Sequence, residues 1–434
     1  MKNPILKDFI QYVSLNIFGT IGLTCYILAD TFFIARGMGA NGITALNLAL
    51  PMFNLIFGIG IMLGTGGAAR YAVLQAQERS READGVYSLV LTAGIVTGLL
   101  FLAAGLSLTG RITAALGANA DVYDLTYCYL NTIFWFAPFF ILNQILGAFV
   151  RNDGAPKLAM AAMILGSLSN ILFDYIFIFP LNMGIFGAAF ATGVSPLISL
   201  AVLSLHFIRK KNRMRFTFRT LPLRALPKIS ALGFSAFLNE VSGGFVIITF
   251  NFAFLGLTGN LGIAAFGIVT NLAIVVVCLF NGLAQGIQPL VSTCHGKGDR
   301  KNMKILLRYG LITSLIFSGL VYLGSWFGTD VLIGLFNSEG NPQLARLAKE
   351  GLRIYFAGFF FAGINILMTF YYSASERPLP AFLISAIRGF AVIIPAILLL
   401  AKFGGVTGVW LAYPLSEAVA LAAALFFRLR TRAS

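Results

Sequence analysis

Residues 86–108 read VYSLVLTAGIVTGLLFLAAGLSL, a run with no charged side chain. At 1.5 Å per residue a helix of that length covers about 35 Å, enough for the ~30 Å hydrocarbon core of a bilayer. Apolar and polar residues do not alternate along it, as they would in a lipid-facing barrel strand. The run is a transmembrane helix, and it has eleven companions. Segments of comparable length and hydropathy cover 9–34, 45–70, 122–148, 157–180, 185–208, 229–256, 262–291, 304–327, 350–373, 379–401 and 405–427. The short polar start, Met1 to Asp8, leads into an apolar stretch too long for a signal-peptide core, so the first segment is expected to be a retained span. The expected fold class is an all-α membrane protein with twelve transmembrane helices.

Composition agrees. Of 434 residues, 58% are apolar and 11% charged, whereas soluble domains carry roughly a quarter charged residues. Disorder and a secreted disulfide scaffold are excluded. The net charge of +15 resembles a nucleic-acid signal until the positions are read. With both termini cytoplasmic, twenty-four Lys and Arg fall on the cytoplasmic side and six outside, with Arg388 inside a span. That bias is the positive-inside rule at work, so the basicity reports topology. Cys25, Cys128, Cys278 and Cys294 form no CxxC pair and are read as inert buried thiols.

The chain repeats. A shift of 220 places Gly42-Ile43 on Gly262-Ile263, Ala45 on Ala265 and Gly66 on Gly286; a shift of 221 places Gly184 on Gly405, Gly187 on Gly408 and Ala191 on Ala412. Six helices per half, an even number, gives both halves one orientation in the membrane. The expected organisation is two pseudo-symmetric six-helix lobes, 1–208 and 229–434. A basic cytoplasmic linker, 209–228, joins them and attracts anionic lipid.

Ionisable residues inside spans mark candidate function, because each costs about 2.5–3.5 kcal/mol to insert. Four stand out: Asp30, Asp174, Glu240 and Arg388. Asp30 and Asp174 lie about 6–10 Å below the outer edge, and Glu240 and Arg388 near the midplane, giving two polar centres, one per lobe. Asn170 precedes Asp174 by four residues and shares its helical face, while Thr192 enters the sixth helix at similar depth. Asp30, Asn170, Asp174 and Thr192 together offer oxygen ligands that suit Na⁺. A proton suits them equally, since burial and a neighbouring carboxylate favour the protonated carboxyl. Glu240 and Arg388 are read as a candidate buried ion pair with Asn365 at comparable depth; the alternatives, lobe packing or attraction of cationic cargo, stay open. The second half has Phe250 and about Pro395 where the first has Asp30 and Asp174.

Weaker signals have structural readings. Gly60 and Gly64 are small-xxx-small packing positions, no GxxxxGK[ST] motif is present, and Pro289, Pro395 and Pro414 are candidate bends. His206 and His295 stand at cytoplasmic helix ends. No cluster of His, Cys and acids has catalytic spacing, so an enzyme is not expected.

The segments Tyr26-Ile-Leu-Ala-Asp30-Thr-Phe-Phe-Ile, Asn170-Ile-Leu-Phe-Asp174-Tyr-Ile-Phe-Ile and Asn182-Met-Gly-Ile-Phe-Gly-Ala-Ala-Phe-Ala-Thr192 resemble the multidrug and toxic compound extrusion (MATE) transporters. So does Gln288-Pro289-Leu-Val-Ser292, followed by Gly296-Lys-Gly-Asp299. The resemblance spans nearly the whole chain. It implies secondary active export of amphipathic, mostly cationic compounds in exchange for H⁺ or Na⁺, with no other cofactor. It places the cation site of the prokaryotic first-lobe branch on Asp30, Asn170, Asp174 and Thr192. Tyr26, Tyr129, Asn143 and Gln144 supply the surrounding polar network. In a second branch, acids on the seventh and tenth helices matter; here Glu240 matches one and Asn365 stands in place of the other. Relatives carry a proline where this chain has Leu15-Asn16, so bending of the first helix is left to Gly19 and Gly22. The expected partners are small amphipathic cations and membrane lipid, with no nucleic acid, for a monomer in the cytoplasmic (inner) membrane. A lipid-linked oligosaccharide flippase is the alternative, disfavoured because Arg388 alone offers positive charge within a span.

Overall fold

The computed structural model describes residues 4–217, 222–334, 336 and 341–433, and among them the chain is predominantly helical, without a strand. The helices are α1 (Pro4–Gly39), α2 (Asn41–Ala76), α3 (Ser80–Ala115), α4 (Tyr123–Asn152), α5 (Pro156–Ile178), α6 (Gly184–Ile208), α7 (Leu223–Thr258), α8 (Asn260–Gly296), α9 (Arg300–Phe327) and α10 (Pro342–Ala374). A short helix, Thr329–Gly334, follows α9. The last apolar stretch, Pro378–Leu429, has 52 residues, about 78 Å of helix and two crossings' worth. It breaks at Gly405, where φ is 55° and ψ −140°, a region open to glycine because it lacks a Cβ. That break separates α11 (378–404) from α12 (406–429) and brings the described crossings to twelve.

The internal repeat is visible in the backbone. Positive φ occurs at Gly39 (63°) and Gly259 (64°), at Glu78 (61°) and Gly298 (70°), at Gly154 (89°) and Glu376 (56°), and at Gly184 (57°) and Gly405 (55°). Each pair is separated by 220 to 222 residues. Corresponding helices of the two halves therefore end in matching turns, although few side chains are shared.

Two compact units are resolved: Ser14–Glu240 with Ser292–Asp299, called here the first unit, and Met1–Val13, Val241–Val291 and Arg300–Ser434, the second. The start of α1 is thus grouped with the second unit, and the start of α7 with the first.

Small residues set the helix spacing in the first unit, as expected where lipid leaves close packing to hold helices together. A Cβ on Gly60 would meet the Ile141 Cα of α4 at 3.0 Å, and one on Gly98 would meet the Pro138 Cα at 2.5 Å. Gly19 and Gly22 lie on the side of α1 that packs on α5. They seat Met163 and Ile164 of α5 against α1, and the break in the α1–α2 run is at Gly39. Arg151, at the end of α4, donates from Nη1 to Asn16 Oδ1 at 3.2 Å, so Asn16 ties α1 to α4.

The start of the linker is an extended strap on this unit. Its N–H groups donate at alternate residues: Arg213 to Asp153 Oδ2 (2.8 Å), Arg215 to Asp84 Oδ1 (2.8 Å) and Thr217 to Ser88 Oγ (2.9 Å). The period of two turns Met214 the other way, and it is fully buried in the core. Asp153 also accepts from the Tyr71 hydroxyl (2.7 Å) and meets His206 Nε2 at 2.8 Å. His206 is therefore a buried partner of Asp153. Asp153→Ala leaves two buried side chains, Tyr71 and His206, and the N–H of the exposed Arg213 without this partner, and each buried loss costs about 1–3 kcal/mol. The expected result is a fall of at least ~2 kcal/mol in stability, read as a lower unfolding temperature in detergent, with a milder effect for Asp153→Asn.

An aromatic core fills the second unit. Phe250 stacks on Phe266 at 4.6 Å and Phe254 packs on Trp410 at 4.5 Å. Phe250 is fully buried, so the counterpart of Asp30 is a core side chain. In α11 the irregularity lies ahead of Pro395: Ile387–Ala391 form a π turn, and Val392 N–H donates five residues back to Ile387 O at 3.2 Å. The carbonyl four residues before Pro395, on Ala391, lacks the N–H that a helix would supply.

Candidate cation site

Four helices of the first unit supply one buried polar cluster. α5 contributes Asn170 and Asp174, which share a face because four residues make just over one turn. With its amide oriented to satisfy both neighbours, Asn170 donates to Asp174 Oδ2 at 3.0 Å and accepts from the Thr192 N–H at 3.2 Å. The Thr192 hydroxyl lies 3.4 Å from the same amide and shares a side-chain hydrogen bond with Tyr129 of α4. From α1, the Asp30 carboxyl meets the Asp174 carboxyl within side-chain hydrogen-bonding range. Asp30, Asn170, Asp174, Thr192 and Tyr129 are all buried.

The electrostatics of this cluster are unusual. Two carboxylates side by side in a medium that solvates charge poorly repel strongly. A hydrogen bond between them requires a proton. Asp30 Oδ1 and Asp174 Oδ1 are moreover buried acceptors without a hydrogen-bond partner, and such groups are costly unless something occupies them. Two acid oxygens, an amide and a hydroxyl form a hard-oxygen set that fits a proton or a small monovalent cation.

Tyr26, one turn before Asp30, lies within electrostatic reach of Asp30, Asp174 and Glu240. Gln144 packs against α2 at Gly60 and Gly64. Asn143 is half-buried and makes none of the hydrogen bonds of the cluster.

The expected second polar centre is corrected by the structure. Glu240 is grouped with the first unit, where its Cβ lies 3.5 Å from the position a Cβ on Gly58 of α2 would take. The acid on Arg388 is instead Glu417 of α12: Arg388 Nε contacts Glu417 Oε1 at 2.9 Å and Oε2 at 2.8 Å. Asn365 Nδ2 donates to Glu417 Oε2 at 2.7 Å and to the Glu417 carbonyl at 2.8 Å. Glu417 is thus a fifth ionisable residue within a span. The signal that points to it is Arg388 itself, since a guanidinium at that depth requires an acid on a neighbouring helix.

Comparison with known proteins follows the geometry. The MatE family model matches residues 16–176 and 236–398. The chain belongs to the MatE family. The two matched stretches of MatE start 220 residues apart, the shift already seen in the glycines and turns. Multidrug export protein MepA of Staphylococcus aureus is 28% identical over 430 residues, 98% of this chain and 93% of MepA. MepA of Staphylococcus saprophyticus is 27% identical over 426 residues, with the same coverage. Among solved structures, an outward-facing multidrug resistance MATE family transporter of the MOP superfamily superimposes with a TM-score of 0.93 at 20% identity, covering 100% of this chain and 97% of that one. A MOP superfamily transporter from Pyrococcus furiosus gives 0.91, also at 20% identity and with the same coverage. The chain is an integral membrane transporter with the MatE fold, not an enzyme.

Proposed function

We propose that this MatE protein is a secondary active multidrug efflux antiporter. It exports amphipathic, mostly cationic organic compounds from the cytoplasm across the cytoplasmic membrane in exchange for H⁺ or Na⁺. The observation that carries the reading is the buried Asp30–Asp174 carboxyl pair with its unpartnered oxygens. The export function named for the MepA relatives supports it. Loading the pair with H⁺ or Na⁺ from outside neutralises it, and unloading inside restores the negative charge. Coupling follows because the loaded and unloaded forms favour different conformations and bind cargo with different affinity; without that difference no exchange results. Both termini are cytoplasmic in this reading, and the working unit is a monomer.

A lipid-linked oligosaccharide flippase is less well supported. Its anionic cargo calls for free positive charge within the spans, and Arg388 is engaged by Glu417.

Ethidium movement in proteoliposomes tests the proposal. A pH gradient and a Na⁺ gradient are imposed separately, and at least one is expected to drive ethidium against its own gradient. Equal ethidium movement with and without either gradient would overturn the antiport reading.

A further inference from the structure

The second unit contains a carboxylate with a donor set like that of the cation site, but a guanidinium sits on it. Glu417 is 3% exposed and Arg388 12%. Asn365, which holds Glu417 through its Nδ2, leaves its own Oδ1 buried without a partner, as are the neighbouring Ser416 Oγ and the Ser385 Oγ one turn before Arg388. A carboxylate held by an asparagine amide repeats the pairing of Asp174 with Asn170.

The sequence repeat relates the two places. A shift of 221 residues sets Arg388 on Ser167, one turn from Asn170, and sets Tyr413 on Thr192 and Glu417 on Pro196. Tyr413 is itself hydrogen-bonded to Arg388. The network therefore occupies, on α11 and α12, nearly the place that the cation site occupies on α5 and α6. The titratable and charged groups around Glu417 are Arg388 of α11, Tyr413 of its own helix and Tyr355 of α10.

We propose that Arg388 is a resident cation: its guanidinium occupies the Glu417–Asn365 site as a covalently tethered substitute for a mobile H⁺ or Na⁺, so that the second unit exchanges no cation, and its removal turns Glu417 and Asn365 into a binding site for one. The consequence, which rests on the antiport reading, is that coupling is confined to the carboxyl groups of the first unit. The guanidinium accounts for the persistence of a buried carboxylate without an exchangeable ion, because an unpaired buried charge is far costlier than a paired one.

The test reads cation binding without transport. Infrared pH-difference spectra and binding of radioactive Na⁺ are compared for the purified wild type, E417Q, R388Q, R388K and R388Q/E417Q. R388Q is expected to gain a titrating carboxyl band or one further bound Na⁺, absent from wild type, R388K and R388Q/E417Q. Acidification or added Na⁺ is expected to raise the unfolding temperature of R388Q and not that of the double variant. Wild type and E417Q are expected to give the same titrating carboxyl bands, a comparison that holds even if R388Q accumulates poorly. A titrating Glu417 band in wild type overturns the proposal, as does an R388Q protein that gains neither band nor ion. Asp30→Asn and Asp174→Asn test the first-unit reading in the same assays; unchanged cation binding in both counts against that reading while leaving the Arg388 comparison intact.

Discussion

Asp174→Asn and Asp30→Asn are each expected to bring gradient-driven ethidium efflux to the level of empty vesicles, with the folded yield preserved. Asparagine keeps the size and most of the hydrogen bonding of aspartate but cannot take up a proton or hold a cation by charge. The Asp30–Asp174 contact survives as an amide–carboxyl hydrogen bond, so the packing of α1 against α5 has no reason to fail. What disappears is the change of charge on which coupling depends. Coupling free energies of this kind are typically about 1–3 kcal/mol, a 5- to 150-fold effect, and efflux against a gradient falls at least in proportion. The double variant is expected to be no worse than either single one, because the pair acts as one unit. Ethidium binding measured without a gradient separates lost coupling from lost cargo affinity. Full gradient-driven efflux by either single variant would remove the basis of the proposed mechanism.

The second large effect concerns the approach of α2 to α7 in the first unit. A Cβ on Gly233 would overlap the Met62 carbonyl and lie 2.9 Å from the Gly66 nitrogen, and a Cβ on Gly66 would overlap the Ile229 carbonyl. These neighbours are main chain, so no side chain can rotate out of the way and one helix must move. Gly233→Val and Gly66→Val are expected to cost more than ~3 kcal/mol, the upper end for overpacking, seen as a collapse in monodisperse yield and unfolding temperature. Gly243→Ala is the control. It lies in α7 with open space where the Cβ would point, and alanine is the better helix former by about 1 kcal/mol. Equal stability of the Gly233 and Gly243 variants would show that the close approach is not what holds these helices.

Much of the cation site is legible in the order of the residues, for identifiable reasons. Asn170 and Asp174 must share a face, since helical geometry dictates it, and Asp30 and Thr192 must lie at a similar depth. Depth is only one coordinate, however. Glu240 and Arg388 share a level near the midplane, which suggests a pair, but the direction a helix turns its side chains and the neighbours it packs against are not encoded in depth. Through Gly58, Gly66 and Gly233, the start of α7 packs with α2. Glu240 consequently belongs with the first unit, and Glu417 meets Arg388.

The amino-acid sequence suffices for the membrane class, the twelve crossings, the twofold repeat and the helical face carrying Asn170 and Asp174. Each of these is local, set by hydropathy over about 20 residues or by the 3.6-residue period. It takes the folded chain to show that Asp30 touches Asp174, that Asp153 holds the strap, and that Glu417 takes the guanidinium. Those are contacts between segments distant along the chain, selected by which small residues let two backbones approach and by the requirement that each buried charge find a partner.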